Sequence, residues 1–290
     1  MNTNDFKIFE AVAAHGSFTK AAEATFTVQS NVTARIKSLE EEFGVSLFTR
    51  TRKVQLTAAG ETLMHYCKQI SQLIETAKRE LSGNDQLIGH LKIGCIETTM
   101  ALKVPGLIQR FNTTYPDIEL EFKAAMSPAL IHEVMNYKLD AAFITAPITL
   151  PDLEQQLIKE EQLVIVSSGK YETLNEILQD PQVRIIVFEQ GCVYRARLES
   201  WLSYQGIINY KSTIVNSLEG IINFVEAGLA ITILPLELIE QYYPNRKLRT
   251  FSIGKELGST TTMLIYRKNR NQDPLLQAFV GMYSSDPDIL

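Results

Sequence analysis

The sequence predicts a mixed fold: an all-α N-terminal winged helix-turn-helix with a long linker helix behind it, then an α/β part of two lobes. Three observations carry this. Apolar residues recur at helical spacing as far as residue 81, interrupted only by a short basic, β-branched stretch. A polar linker, SGNDQ, follows. Beyond it, short apolar runs alternate with amphipathic segments, the βαβαβ pattern of a parallel sheet flanked by helices.

Phe6, Phe9 and Ala13 mark a first helix that ends in a turn at His15 and Gly16, and Ser17 or Thr19 can cap a second over Lys20 to Thr25. Val32, Ile36, Leu39 and Phe43 form one stripe of a third helix, closed by Gly44. Val45 to Thr57, VSLFTRTRKVQLT, suits a two-stranded hairpin with Arg50, Arg52 and Lys53 at its middle. Ala58 to Leu81 has no proline and no glycine after Gly60; Leu63, Tyr66, Ile70, Leu73, Ala77 and Leu81 alternate in steps of three and four. So small a helical unit has little chain to cover that seam. A homodimer through residues 58–81 is the simplest solution, and packing on the C-terminal part is the alternative.

In the C-terminal part HLKIGCI, IELEFKAA and LDAAFIT are expected as strands, with helices over Thr99 to Phe111 and Pro128 to Tyr137 between them. The second lobe repeats the pattern: QLVIVSS, a helix near Tyr171 to Leu178, VRIIVF, a helix from Val193 to Tyr204, a strand around Ser212 to Val215, a helix over Leu218 to Ala227, and LAITILP. The expected organisation is residues 1–58 as the winged helix-turn-helix, 59–88 as the linker and dimerisation helix, and 89–290 as a ligand-sensing domain. Lobe I would take about 89–162 and 265–290, and lobe II about 163–264.

Composition bounds the function. The 290 residues are 45% hydrophobic and 21% charged, which excludes a disordered or collagen-like chain. No run reaches the roughly 18 apolar residues of a membrane span; the best candidate, Ile221 to Ile239, is broken by Glu226, Pro235 and Glu237. The N-terminus lacks the pattern of a secretory signal, and Cys67, Cys95 and Cys192 form no CxxC pair, so a cytoplasmic, reducing setting is expected. The net charge of −5 repels polyanions, so nucleic-acid binding has to be local. Residues 1–90 hold ten bases and ten acids, but five of the bases, Arg35, Lys37, Arg50, Arg52 and Lys53, lie on the first half of the third helix and the hairpin, and Glu40, Glu41 and Glu42 at that helix's far end.

A short helix, a turn, a second short helix and a basic hairpin are the parts that place a recognition helix in the major groove and a wing on the backbone. At 100° per residue Ser30, Asn31, Thr33, Ala34, Lys37 and Ser38 face away from the apolar stripe. Gln29, Ser30, Asn31 and Thr33 suit base edges, while Arg35, Lys37, Arg50, Arg52 and Lys53 suit phosphates of double-stranded DNA. A solvated helix face uses the same residue types, so this helix alone leaves both readings open.

Ser17 to Leu63 resembles the LysR-type transcriptional regulators. The matching positions are Ala21 and Ala22, Gln29, Ile36, Leu39 and Glu40, Leu47 and Phe48, Arg50, and Leu56, Thr57, Ala59 and Gly60. Three positions depart from the pattern: Thr25 stands where an apolar residue is usual, Val28 replaces a capping Ser and leaves Thr27 as its substitute, and Asn31 replaces Ala. The looser landmarks KIGCIETTMALKVPGLI, LDAAFIT and AGLAITILP extend the resemblance along the chain. It implies a periplasmic-binding-protein-like sensing domain with an effector between its lobes, a homotetramer, RNA polymerase as a further partner, and effector-driven changes in DNA bending. Two-fold symmetry implies a partly palindromic operator.

Ligands in open α/β lobes sit beyond the carboxyl ends of strands, where helix N-termini offer free N–H groups. Those points carry Thr98, Thr99, Ser127 and Thr145 in lobe I, and Cys192, Tyr194, Asn216 and Ser217 in lobe II. Neutral hydroxyls there suit a small acidic metabolite, although capping alone also accounts for each. At a helix N-terminus beside Arg195 the Cys192 thiolate would be favoured, yet no second cysteine shares its lobe, so a cleft-wall residue is the plainer expectation. GxSxG, HExxH and GxGxxG are absent, and His15, His65, His90 and His132 are scattered, so no enzyme, metal or cofactor is expected. The rival class is a cytoplasmic solute-binding receptor or small-molecule enzyme with an N-terminal dimerisation module. The basic wing and the missing signal peptide speak against it.

Overall fold

A computed structural model describes residues 2–50, 54–81, 87–146 and 150–285. The chain divides between residues 85 and 86 into two compact units.

In the first unit α1 (Thr3–His15) starts in a reciprocal capping box. The Asn2 side chain accepts from the N–H groups of Asn4 and Asp5, and the Asp5 carboxylate accepts from the Asn2 N–H. Helix α2 (Phe18–Ala24) begins two residues earlier than expected because Ser17, not Thr19, caps it. Helix α3 (Gln29–Phe43) buries Val32, Ile36 and Leu39, but Phe43, the fourth residue of the expected stripe, is exposed in the last turn. Its N-cap is Val28, which offers no side-chain acceptor, and the expected substitute Thr27 accepts from the Asn31 side chain instead at 2.9 Å.

Strands β1 (Phe48–Arg50) and β2 (Val54–Leu56) pair antiparallel, Phe48 opposite Leu56. Of the expected wing cations, Arg52 and Lys53 lie outside the described residues, as does the Arg50 side chain. Helix α4 (Ala58–Leu81) has the expected bounds. It starts tight against the hairpin: a Cβ at Gly60 would lie 2.1 Å from the Leu47 carbonyl oxygen, so only glycine fits. The seam splits into two faces. Leu63 and Cys67 join the unit's own core with Phe9 and Phe48, whose ring centroids are 5.2 Å apart, whereas Leu73 and Leu81 are 68% and 86% exposed.

The second unit opens with β3 (Gly89–Cys95), α5 (Glu97–Leu102) and α6 (Val104–Thr114). The single helix expected over Thr99 to Phe111 is thus two, parted at Lys103 because Pro105 has no N–H to continue the ladder and suits a first turn. Next come β4 (Ile118–Ala124), α7 (Ser127–Met135), β5 (Ala141–Ala146) and β6 (Leu153–Ser168). After them run α8 (Leu174–Gln179), β7 (Arg184–Val187), α9 (Val193–Tyr204), β8 (Lys211–Ile214), α10 (Leu218–Glu226) and β9 (Thr232–Pro235). The chain closes with α11 (Leu236–Tyr242), β10 (Leu248–Ser252), α12 (Lys255–Gly258), β11 (Ser259–Arg267) and α13 (Pro274–Ser285).

Strands β4, β3 and β5 are parallel neighbours, as the βαβαβ pattern requires. The sheet is mixed, however, not purely parallel. Strand β11 runs antiparallel to β5 and to the first half of β6, and the second half of β6 runs antiparallel to β9 and β10. Strand β6 therefore passes from one lobe into the other. Phe111, Phe143 and Phe279 pack the first lobe's core, and Leu198, Trp201, Ile221 and Leu234 the second's. Among the described residues no helix is long and apolar enough to cross a membrane.

Candidate DNA-reading face and effector cleft

Gln29, Ser30, Thr33 and Lys37 are exposed on one side of α3, and Asn31 is half-buried. Thr33 donates to the Gln29 carbonyl at 2.9 Å, and Thr19 of α2 donates to the Gln29 side-chain oxygen at 3.2 Å. The Gln29 amide is thereby oriented with its NH2 unspent among the described residues. Lys37 faces Glu41 one turn on at 3.5 Å, an exposed pair too weak to withhold it from a phosphate.

Arg35, expected at a phosphate, is held instead in a task that its sequence position did not show. Its Nη1 donates to Asp5 at 3.0 Å, so it fastens α3 to the capped start of α1. Glu40 was also missed. It accepts from the N–H groups of Leu47 at 2.8 Å and Phe48 at 3.3 Å, anchoring the first wing strand to α3. An acid near a helix C-terminus opposes the dipole, and that misplacement was the available signal.

In the second unit a cleft of about 310 Å³ lies between the lobes, where the N-termini of α7 and α9 meet. Of the expected residues, Thr98, Ser127, Thr145, Cys192, Tyr194 and Asn216 line it. The other two do not: Thr99 is buried within α5, and Ser217 caps α10 by accepting from the Gly220 N–H at 3.3 Å. Ser127 accepts from the Thr145 N–H at 3.1 Å and its own O–H is unspent; the Thr145 hydroxyl has no partner among the described residues. Both residues are more than nine-tenths buried overall and both line the cleft, so their remaining bonding capacity is open to a group that enters it.

A buried hydrogen-bonded chain crosses the cleft floor. Thr98 of α5 meets the Tyr194 hydroxyl of α9 at 3.0 Å, and that hydroxyl donates to Glu161 of β6 at 3.3 Å. Burial pushes the Glu161 carboxyl above the usual carboxylate range, and burial with Glu161 alongside pushes the Tyr194 phenol well up. Beside it Lys103 and Lys159 each reach Glu237 of α11 at 2.8 Å. Burial opposes the Glu237 charge, but the two ammonium groups outweigh it and hold this carboxyl below its usual range.

Glu97 and Glu189 also line the cleft, and sequence reasoning missed both. Cys192 is the N-cap of α9, but burial raises its thiol pKa more than the Tyr194 and Arg195 N–H groups and the Arg195 charge lower it. Arg195 is itself engaged by Glu199 at 2.9 Å. The helix-terminus thiolate is therefore not favoured, and Cys192 is a wall residue. Burial drives Cys67 and Cys95 up to about 12.

Comparison with known proteins agrees with this geometry. The family model "Bacterial regulatory helix-turn-helix protein, lysR family" matches residues 3–61, and "LysR substrate binding domain" matches residues 84–285. The HTH-type transcriptional regulator CzcR of Bacillus cereus is 35% identical over 281 residues, covering 97% of this chain and 96% of its own. Full-length OxyR from Pseudomonas aeruginosa, solved as a cysteine-to-aspartate variant, shares the fold with a TM-score of 0.75 at 20% identity, over 98% of this chain and 94% of that one. CbnR, solved with its target DNA, aligns with a TM-score of 0.69 at 21% identity over 98% and 99%. With helix-turn-helix and sensing domain both matched, and a relative 35% identical along nearly its whole length, the chain belongs to the LysR family of DNA-binding transcriptional regulators.

Proposed function

We propose that residues 1–58 read a promoter duplex, that α4, within the segment 59–88, dimerises the chain, and that residues 89–290 tune promoter binding through a small metabolite in the interlobe cleft. On DNA, Gln29, Ser30, Asn31 and Thr33 meet base edges, and Lys37 with Arg50, Arg52 and Lys53 meets phosphates. The exposed stripe of Leu73 and Leu81 supports pairing of two α4 helices, and assembly of such dimers through the sensing domains gives a tetramer.

The observation that carries the effector reading is the pair of cleft-lining hydroxyls, Ser127 and Thr145, which keep bonding capacity unspent among the described residues beside the N-terminus of α7. They suit one anionic group of a small metabolite. Glu97 and Glu189 on the same lining repel a second negative charge, so the effector is a monoanion with an apolar body against Ile96, Met126 and Phe188. Its arrival would bias the contacts joining the lobes, Thr98 to Tyr194 and Lys103 to Glu237, and through them the spacing of the DNA-binding pairs. Isothermal calorimetry with a panel of metabolites tests this. Monocarboxylates should bind to wild type and lose affinity in Ser127→Ala; binding of cationic or neutral compounds alone would refute it.

A further inference from the structure

The turn between α2 and α3 contains a residue that the fold gives no reason for. Phe26 has φ +52°, the left-handed region that L side chains rarely adopt and that glycine or asparagine takes at less cost. Its ring is 98% exposed and packs against nothing in the described unit. Two residues on, the N-cap position holds Val28, 64% exposed, where a hydroxyl would have bonded the helix N-terminus. Local preference is therefore broken twice within three residues, each time by an apolar side chain directed at solvent. Strain observed at such a position points to use elsewhere.

The occupant follows from what adjoins the patch. Phe26 and Val28 immediately precede Gln29, Ser30 and Thr33, the exposed start of the helix that this family lays in the major groove, so the patch continues the DNA-facing surface. In that groove the apolar group offered by the bases is the 5-methyl of thymine, which Phe can contact. We propose that Phe26, with Val28 beside it, is a specificity-determining residue that reads a thymine methyl at the edge of the operator half-site. This rests on the DNA-reading assignment of α3 and adds an apolar element to it.

The test uses the full-length protein and the duplex it enriches best from a random pool. Replacing thymines one at a time by deoxyuridine removes only the methyl. One such position per half-site should weaken wild-type binding about fourfold, the worth of roughly one buried carbon. Phe26→Asn, whose side chain tolerates the left-handed turn, should melt no lower than wild type, bind the thymine duplex about as weakly as wild type binds the deoxyuridine one, and lose nothing further on deoxyuridine replacement. Gln29→Ala, by contrast, should stay sensitive to the methyl. Phe26→Asn binding as tightly as wild type, or losing affinity while no thymine position matters to wild type, would overturn the proposal. A Gln29→Ala defect in either case would leave the assignment of α3 intact.

Discussion

Arg35→Ala is expected to loosen the recognition helix before it removes any charge from the DNA interface. The guanidinium lies 3.0 Å from Asp5, whose side chain is 7% exposed while that of Arg35 is 42% exposed. Breaking a fully buried pair costs about 3–5 kcal/mol and an exposed one under about 1. With one partner buried and the other half in water, the loss should fall between, about 2 kcal/mol. The asymmetry sharpens the expectation. Arg35→Ala leaves a buried carboxylate without its cation, held by the Asn2 N–H, whereas Asp5→Asn leaves a guanidinium that water can reach, so the arginine change should cost more and the double variant less than the sum. Hydrogen exchange over Gln29–Phe43 in the full-length protein reads this directly: about 2 kcal/mol is roughly 30-fold faster exchange in Arg35→Ala. The slope of operator affinity against salt should stay close to that of wild type, since a lost phosphate contact would lower it by about 0.9 for each contact. Unchanged exchange with a lower salt slope would refute the fastening role and return Arg35 to the phosphate backbone.

Three further outcomes are expected. Glu161 ionises at a higher pH in the folded protein than its reference of 4.5 because it is buried, so its contribution to stability is complete below that reference and is lost as pH rises through the folded value. Glu161→Gln should accordingly flatten the fall of melting temperature above pH 4.5, and a variant that follows the wild-type profile would contradict it. An alkylating reagent near pH 8 should leave Cys67 and Cys95 unmodified and label Cys192 slowly, and an effector in the cleft should slow it further; rapid labelling of Cys67 or Cys95 would contradict their burial. Leu73→Glu places a charge on the exposed stripe of α4 and should drive the protein toward smaller species in sedimentation, while a variant as associated as wild type would move the dimer contact elsewhere.

What the sequence disclosed follows from how strongly each residue is bound to a local rule. Helix α4 was legible to the residue because no breaker interrupts it and the hairpin precedes it, but its seam was ambiguous. The core face of Leu63 and Cys67 and the exposed face of Leu73 and Leu81 share one sequence rhythm. Strand β6 was visible only from Gln162 onward. Its earlier part, LEQQLIKEE, is half-covered and charged, so it has neither an apolar run nor clean alternation. That hid the strand that ties the lobes together, and with it the mixed sheet. In the cleft, helix-terminus logic found Ser127, Thr145 and Tyr194, but took in Ser217, which caps α10 and lies outside the cleft lining. Glu161, Lys103 and Glu237 come together only through tertiary folding, and no spacing in the chain announces them.

The measurement closest to the central claim is sequencing of the genomic fragments retained by the full-length protein, with and without a small-molecule extract of the cells, for wild type and Thr145→Val. Valine keeps the shape of Thr145 but removes the buried hydroxyl. The account predicts that both proteins retain the same few promoter fragments and that the extract alters the wild-type enrichment alone. Retention indifferent to the extract, or a Thr145→Val response equal to that of wild type, would contradict control of promoter binding from this cleft.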